Sequence, residues 1–276
     1  MKNNKIWLIT GASQGIGFAA IRYLLSKNQT IIATTRNVDA FDKEVIKNPN
    51  LEVISLDLTN ETAVENSISY VAEKYGTIDL LINNAGYGFV GAIEEAYELD
   101  IAKVLSINVE VTLRMTRFVL PIMRKAGSGH IINLSSVSGL ASSPGFGIYN
   151  AAKYAVEGLS EALYHEVKDL GIKVTIIEPG AFRTNFLDSS LVVAKKNISD
   201  YDATAGNFRN QLKKNNGHQP GNPEKAAEII FEISKMSKPP LRLLLGKDAY
   251  NRATKKLNDM QIEIEQMKSL TLSTDF

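Results

Sequence analysis

Near its N-terminus the chain reads Ile6-Trp7-Leu8-Ile9-Thr10, followed at once by Gly11-Ala12-Ser13-Gln14-Gly15-Ile16-Gly17. The first five residues predict a buried strand, and the glycine-rich turn leads directly into a helical pattern over residues 17–27. Glycines permit a tight turn and a close approach of the backbone to a pyrophosphate, and the helix N-terminus offers unpaired N–H groups to the anion. The spacing is Gly-x3-Gly-x-Gly rather than the common Gly-x-Gly-x-x-Gly, and glycine-rich turns also occur for purely steric reasons.

The same alternation of short apolar runs and helical patterns continues along the chain. Continuously apolar strands are typical of a sheet that is covered on both faces, and strands alternating with helices predict right-handed βαβ units. We therefore expect an α/β fold with a doubly wound, mostly parallel seven-stranded sheet and helices on both faces. Strands are predicted at 6–10, 30–34, 51–56, 79–83, 130–135, 173–177 and 241–245, and long helices at 101–123 and 149–170.

Length and composition limit the classes of function. The chain has 276 residues, 44% hydrophobic and 22% charged, which suits one large α/β domain. The net charge of +1 gives no reason to expect nucleic acid or a membrane as a partner. The sequence has no cysteine and only three widely spaced histidines, so we expect no metal site. The apolar run 6–9 is too short for a signal peptide, and we expect a cytoplasmic protein.

A polar segment interrupts the alternation between Lys195 and Pro223. A loop of that length is usually functional or mobile, and its position after the sixth strand favours a substrate lid over a solvated surface excursion. Asn222 and Pro223 predict the start of the next helix, with Asn222 as N-cap. A further amphipathic helix is predicted from about Ala249 to Met267.

The end of the second strand indicates which dinucleotide the turn would hold. An acidic residue there would bond the ribose 2′-hydroxyl of NAD, whereas an arginine would accept the 2′-phosphate of NADP. The sequence reads Thr34-Thr35-Arg36-Asn37, with no carboxylate before Asp39. Arg36 can bind a phosphate with a charge-assisted fork, although a solvated surface arginine is the alternative. The pattern favours NADP(H) over NAD(H).

Tyr149 and Lys153 lie four residues apart at the start of a predicted helix, and so share one of its faces. An ammonium beside a phenol favours the phenolate and lowers the phenol pKa from about 10. Such a tyrosine can give a proton to a carbonyl oxygen and take it back in the reverse reaction. Pairs with this spacing also occur by chance on helix surfaces.

Four motifs together make the chain resemble the short-chain dehydrogenase/reductase family along nearly its whole length. They are Thr10-Gly11-x3-Gly15-x-Gly17, Asn83-Asn84-Ala85-Gly86, Ser136 with Tyr149-x3-Lys153, and Pro179-Gly180. The segments 177–184 and 240–246 are more narrowly similar to bacterial carbonyl reductases resembling 17β-hydroxysteroid dehydrogenases. The resemblance implies a single Rossmann-fold domain over 1–276. Residues 1–135 would mainly bind the cofactor, residues 136–276 would carry catalysis and the substrate, and the lid would span about 185–223.

The resemblance also implies roles for individual residues, and no catalytic position departs from the family pattern. Tyr149 would be the general acid/base, and Lys153 would bond the nicotinamide ribose. Ser136 would bond the substrate oxygen, with Ser135 and Ser138 as competitors that spacing disfavours. Asn108 would anchor a water in a proton relay. Serines after a strand can also simply turn the chain, whereas asparagine is a poor residue for a helix interior.

The implied binding residues fall into two groups. Among those for the cofactor, Asp57 would face the adenine and Thr184 the carboxamide. The cofactor set is Gly11, Ser13, Gln14, Gly15, Ile16, Gly17, Arg36, Asn37, Asp57, Leu58, Asn84, Ala85, Gly86, Tyr149, Lys153, Pro179, Gly180 and Thr184. The substrate set is Ser136, Val137, Phe146, Tyr149, Phe182 and Phe186.

The predicted activity is NADP(H)-dependent reduction of a ketone or aldehyde, or oxidation of the corresponding alcohol, on a small molecule. By resemblance, the long helices 101–123 and 149–170 would build a homodimer or homotetramer. An epimerase or dehydratase also uses Tyr-x3-Lys, but those relatives are generally longer and have a different glycine spacing. A non-catalytic NADP-sensing regulator is the other alternative, and the complete set of catalytic residues argues against it.

Overall fold

The computed structural model describes residues 4–276 and contains nine strands and nine α-helices within them. The strands are β1 (Ile6–Thr10), β2 (Thr30–Thr35), β3 (Leu51–Ser55), β4 (Leu80–Asn83), β5 (Gly88–Val90), β6 (Gly129–Leu134), β7 (Ile172–Pro179), β8 (Leu191–Val193) and β9 (Arg242–Leu245). The helices are α1 (Gly15–Ser26), α2 (Glu61–Tyr75), α3 (Glu98–Leu105), α4 (Val111–Ala126), α5 (Gly147–Val167), α6 (Asn207–Asn215), α7 (Pro223–Lys235), α8 (Lys247–Gln266) and α9 (Lys268–Leu272).

Seven of the strands form one sheet in the order β3-β2-β1-β4-β6-β7-β9. Leu8 of β1 pairs with Ile32 of β2 on one side and with Leu81 of β4 on the other. Every pairing in this sheet is parallel, where the sequence predicts a mostly parallel one. The strand order reverses between β1 and β4, and a ligand crevice is expected at the carboxyl ends of the strands at such a point.

Helices cover both faces of the sheet, which confirms the predicted doubly wound α/β fold. Trp7 and Ile9 of β1 point to one face, where α1 and α7 pack with Ile21, Leu24 and Ile230 among their buried residues. Leu8 points to the opposite face, where α2, α4 and α5 bury residues such as Ile68, Met115 and Leu163. The inner strands β1, β2 and β4 thus bury side chains in both directions, which explains their apolar sequences, whereas the edge strands β3 and β9 are only partly buried.

The helix predicted over 101–123 begins earlier, at Glu98, and a π-helical turn at Ser106–Glu110 separates α3 from α4. Asn108, buried at the centre of this turn, donates a side-chain hydrogen bond to the Val104 carbonyl oxygen at 3.0 Å. A side chain that bonds a backbone carbonyl competes with the regular helical ladder, and π turns are frequent at functional sites.

The predicted polar loop over 195–223 contains regular structure, including α6. Glu95 holds this segment onto the body of the protein, because its buried carboxylate accepts hydrogen bonds from the backbone N–H of Ile198 at 2.9 Å and of Ala92 at 2.8 Å. Arg209 of α6 lies 3.7 Å from the same carboxylate. Just before this segment, β8 pairs in parallel with β5 to form a two-stranded sheet that the sequence does not predict.

Among the helices of residues 4–276, none is both long enough and apolar enough to cross a membrane.

Candidate active site

The turns after β1 and β4 are tied together at the carboxyl edge of the sheet. The hydroxyl of Thr10 accepts hydrogen bonds from the backbone N–H groups of Asn84 at 3.0 Å and Ala85 at 3.1 Å. In return, the side-chain amide of Asn84 donates to the carbonyl of Gly11 at 2.8 Å. The Asn83-Asn84-Ala85-Gly86 motif therefore holds the glycine-rich turn in place from below.

Two glycines of the turn are required by local geometry. Gly11 has a φ of +61°, and a Cβ added there would lie 2.6 Å from the Ala85 Cα. A Cβ at Gly17 would lie 2.5 Å from the Asn84 amide nitrogen. No side chain accepts a hydrogen bond from the N–H groups at the N-terminus of α1, and the Gln14 side chain is directed to Ser190, to which its amide donates at 2.9 Å. The uncapped N–H groups at this end suit an anion such as a pyrophosphate.

A cavity of about 420 Å³ runs from this turn to the start of α5. It brings together all four predicted catalytic residues, Asn108, Ser136, Tyr149 and Lys153. It also contains the predicted substrate residues Val137, Phe146, Phe182 and Phe186, and the predicted cofactor residues Gly11, Gln14, Gly15, Ile16, Asn84, Gly86, Pro179, Gly180 and Thr184.

The other predicted cofactor residues lie outside that lining. Ser13, Gly17 and Ala85 belong to the two tied turns, whereas Arg36 and Asn37 follow β2, and Asp57 and Leu58 follow β3. Arg36 is exposed. Asp57 accepts hydrogen bonds from the backbone and hydroxyl of Thr59, and these lower its pKa, with a smaller contribution from the charge of Arg36.

Tyr149 is buried in an aromatic wall, with its ring centre 5.3 Å from that of Phe146 and 5.7 Å from that of Phe186. Burial raises the pKa of Tyr149 to about 12, and a side-chain hydrogen bond with Ser136 acts in the opposite direction. The Tyr-x3-Lys spacing led us to expect a lowered pKa for Tyr149, but its pKa is raised, because desolvation of the phenolate outweighs the hydrogen bond with Ser136.

Lys153 is also buried, and its ammonium donates a hydrogen bond to the Leu134 carbonyl at 2.8 Å rather than to the tyrosine. The Lys153 Nζ lies 5.8 Å from the centre of the Tyr149 ring. Burial lowers the pKa of Lys153 to about 8, while the charge of Glu157 raises it. The spacing thus places the two groups within electrostatic range without a direct hydrogen bond.

The three competing serines differ in what they face. The Ser136 hydroxyl interacts with Tyr149 and accepts a hydrogen bond from the Ser138 backbone N–H at 3.1 Å. Ser135 faces the carboxyl of Glu157. Burial raises the pKa of this carboxyl, and the interaction with Ser135 acts in the opposite direction. Of the three hydroxyls, the one at Ser136 is the one that acts on the tyrosine.

Asn108 connects the π turn to the floor of the cavity. Its amide donates to the Tyr87 carbonyl at 3.0 Å, and its oxygen accepts from the Tyr87 backbone N–H at 3.3 Å. A Cβ at Gly86 would lie 2.6 Å from this oxygen and 3.7 Å from the Lys153 Nζ. The absence of a side chain at Gly86 thus leaves Asn108 and Lys153 on either side of one small gap.

Sequence reasoning missed the residues that α6 contributes to the cavity. Phe208 and Leu212 line it, and the Phe208 ring centre is 4.9 Å from that of Phe146. Their spacing of four residues on one helix face was the available signal, since they are apolar within an otherwise polar segment. His218, Gln219 and Arg252 also line the cavity, and no sequence pattern indicated them.

A family model described as short chain dehydrogenase matches residues 5–191. The chain belongs to the short-chain dehydrogenase family. An oxidoreductase of Botryotinia fuckeliana is 37% identical over 98% of this chain and 99% of its own length. A protein of Bacteroides thetaiotaomicron named 3-ketodihydrosphingosine reductase is 35% identical over 88% of each chain. The protein is therefore an oxidoreductase of this family.

Several solved structures share the fold of this chain. One from Streptomyces avermitilis is 40% identical, covers 99% of this chain and 100% of its own, and superposes with a TM-score of 0.93. A relative from Burkholderia phymatum in complex with NAD has 24% identity and a TM-score of 0.82, with 95% of each chain covered. ElxO with NADP bound has 26% identity and a TM-score of 0.71, covering 87% of this chain and 96% of its own. Members with this fold thus carry either dinucleotide.

Proposed function

We propose that the protein is an NADP(H)-dependent oxidoreductase that reduces a ketone or aldehyde, or oxidises the corresponding alcohol. The observation that carries the proposal is the buried hydroxyl of Tyr149, which shares one cavity with Ser136, Lys153 and the glycine turn. A general acid/base must lie within hydrogen-bond reach of the reacting oxygen, and a cavity beside the tyrosine provides a place for that oxygen.

The residues present fit a dinucleotide. The glycine turn supplies an uncapped helix N-terminus, and Gly15 has a φ of +64° with nothing closer to an added Cβ than Thr184 at 3.6 Å. NADP is preferred in this proposal because the exposed Arg36 follows β2, where an acidic residue would disfavour the 2′-phosphate. The solved neighbours with NAD and with NADP support a nicotinamide cofactor of either kind.

The chain's own residues then perform the proton chemistry. The nicotinamide, when bound, supplies or accepts the hydride. Tyr149 donates its proton to the carbonyl oxygen during reduction, and Ser136 positions that oxygen. The Lys153 ammonium stabilises the negative charge that develops on the phenol oxygen. The Asn108 side chain bonds the Tyr87 backbone close to Lys153. A proton route from the ribose side would pass between Asn108 and Lys153.

The cavity wall supports an apolar substrate. Phe146, Phe186 and Phe208 surround Tyr149 with aromatic carbon, and Leu212 extends this surface along α6. Such a wall excludes water and favours a ketone with an aliphatic or aromatic body. The Bacteroides relative named for a 3-keto substrate supports the same class.

A panel of apolar ketones and aldehydes, incubated with NADPH and separately with NADH, tests the proposal by loss of cofactor absorbance. We expect turnover with at least one apolar ketone, and faster turnover with NADPH. Binding of NADPH without turnover of any substrate would favour a sensing regulator. Product formation without net cofactor consumption would favour an epimerase or dehydratase.

A homodimer or homotetramer on the long helices is part of the proposal. Exposed apolar side chains on this side of the protein support it, among them Leu105, Leu113, Tyr154 and Tyr164.

A further inference from the structure

Helix α8 packs on the protein only at its beginning. Its buried residues are Ala249 and Ala253, and every residue from 261 to 276 is exposed. A helix that leaves the body of a protein in this way has no intramolecular surface to cover its apolar side chains. Helical stability in proteins comes mainly from packing of such a face, so the projecting part needs a partner.

The apolar residues of α8 follow a heptad repeat. The residues Tyr250, Ala253, Leu257, Met260, Ile264 and Met267 alternate at spacings of three and four, as the a and d positions of a coiled coil do. Beyond the packed base, Leu257, Ile264 and Met267 are 60%, 66% and 54% exposed. Within the seam only Ala253 is buried against the body, and Tyr250 is 61% exposed, so the seam lies at the edge of the packed face and is free from Leu257 to Met267.

We propose that α8 pairs with α8 of a second copy of this chain in a parallel two-stranded coiled coil. A twofold axis along the seam places each a residue next to its own copy, so a single sequence is self-complementary there. This interface is separate from the long helices α4 and α5, and it does not depend on the proposed catalytic function.

The charges that flank the seam suit the parallel arrangement. Glu263 occupies a g position and Lys268 the e position five residues later, which is the pair that meets across two parallel helices. Within one chain Lys268 lies 3.6 Å from Glu265, and both are exposed, so this contact competes only weakly.

The same charges argue against an anionic membrane as the occupant. Residues 255–268 contain three lysines and three acidic residues, so this segment has no basic excess. Helices that lie on anionic membranes typically carry lysine or arginine along their polar face.

Engineered cysteines test the pairing directly, because the natural sequence has none. Ile264→Cys places a thiol at an a position, where its copy would lie within the roughly 4.4–6.8 Å Cα separation that a disulfide spans. Ile262→Cys is the matched control, since Ile262 is also exposed but occupies the outer f position. Under mild oxidation of dilute full-length protein, we expect a dimer on a non-reducing gel for I264C and monomer for I262C.

Charge reversal provides a second measurement that does not involve oxidation. Glu263→Lys or Lys268→Glu alone should weaken self-association in sedimentation experiments, and the double reversal should restore it. Unchanged circular dichroism establishes that each variant is folded. Equal cross-linking of I264C and I262C, no cross-linking of I264C, or failure of the double reversal to restore association would overturn the proposal.

Discussion

The ammonium of Lys153 lies 5.8 Å from the centre of the Tyr149 ring, and its hydrogen bond goes to the Leu134 carbonyl. Burial acts on both groups in the direction of neutrality, raising the pKa of Tyr149 to about 12 and lowering that of Lys153 to about 8. A phenolate formed at this site would therefore depend on the neighbouring ammonium, because little solvent is present to stabilise its charge.

Replacing Lys153 with methionine should move the pH dependence of alcohol oxidation to higher pH. Oxidation uses the phenolate as the base, and removal of a nearby cation raises the phenol pKa, so the active form appears only at higher pH. We expect kcat/KM near neutral pH to fall by about 10²-fold, as for the loss of a well-placed acid/base group. The measurement is kcat/KM for an alcohol across pH, with exposed Lys168→Met as control. An unshifted profile would remove Lys153 from this role.

Replacing Arg36 with alanine should weaken the binding of NADPH far more than the binding of NADH. A charge-assisted hydrogen bond to phosphate contributes about 1.5–3 kcal/mol, so KM for NADPH should rise roughly ten- to a hundredfold. Arg22→Ala removes another exposed arginine, one that lies 3.9 Å from Glu224, and should change neither KM. Equal effects of R36A on both cofactors would contradict the assigned preference.

Gly11→Ala should destabilise the protein more than Gly76→Ala. Both glycines have positive φ, +61° and +77°, so each substitution carries a backbone penalty of about 1–2 kcal/mol. Only at Gly11 would the new Cβ also meet backbone, 2.6 Å from the Ala85 Cα, whereas nothing lies within 4 Å of it at Gly76. We expect an additional loss of about 1–3 kcal/mol in urea unfolding for G11A. Equal losses would show that the two tied turns can move apart freely.

Glu178→Gln should reduce the pH dependence of stability between about pH 4.5 and pH 8. Glu178 is buried beside Glu157 and Arg242, and burial, followed by the charge of Glu157, raises its pKa from 4.5 to about 8. A raised carboxyl pKa favours the protonated folded state, so its contribution is complete below pH 4.5 and is lost as pH rises through about 8. Glutamine cannot ionise and should remove this loss.

Urea unfolding at several pH values between these limits measures the effect of E178Q. Glu161→Gln is the control from the same cluster, because the exposed Glu161 bonds Arg242 but has a lowered pKa. The same slope of unfolding free energy against pH in E178Q and the natural protein would show that Glu178 does not titrate in this range.

The sequence predicted the sheet well because its five inner strands, β1, β2, β4, β6 and β7, are largely buried, and because short apolar runs also mark the edge strands β3 and β9. Trp7 and Ile9 face one core and Leu8 faces the other, so every one of these positions requires an apolar side chain. Such a continuous apolar run can be recognised in a single sequence. The pair β5 and β8 was not predictable in this way. These strands have three residues each and are separated by about a hundred residues, so no local period identifies them.

The candidate site was predictable where a backbone requirement selects a residue type, as at Gly11 and Asn84. The site was less predictable where tertiary packing determines the local structure or the pKa of a side chain. The π turn at Asn108 follows from side-chain bonds to Val104 and Tyr87, which hydrophobic periodicity does not contain. The prediction that the pKa of Tyr149 is lowered was wrong. The spacing to Lys153 indicates a nearby charge, but it does not show how deeply the phenol is buried, and burial raises the pKa.

The most direct test of the proposed chemistry is Tyr149→Phe, measured as single-turnover reduction of a ketone by NADPH alongside binding of NADPH. The substitution removes only the hydroxyl, so the aromatic wall with Phe146 and Phe186 should remain. We expect reduction to fall by about 10²- to 10⁴-fold while NADPH affinity is unchanged. Reduction at the natural rate in Y149F would contradict the assignment of Tyr149 as the proton donor.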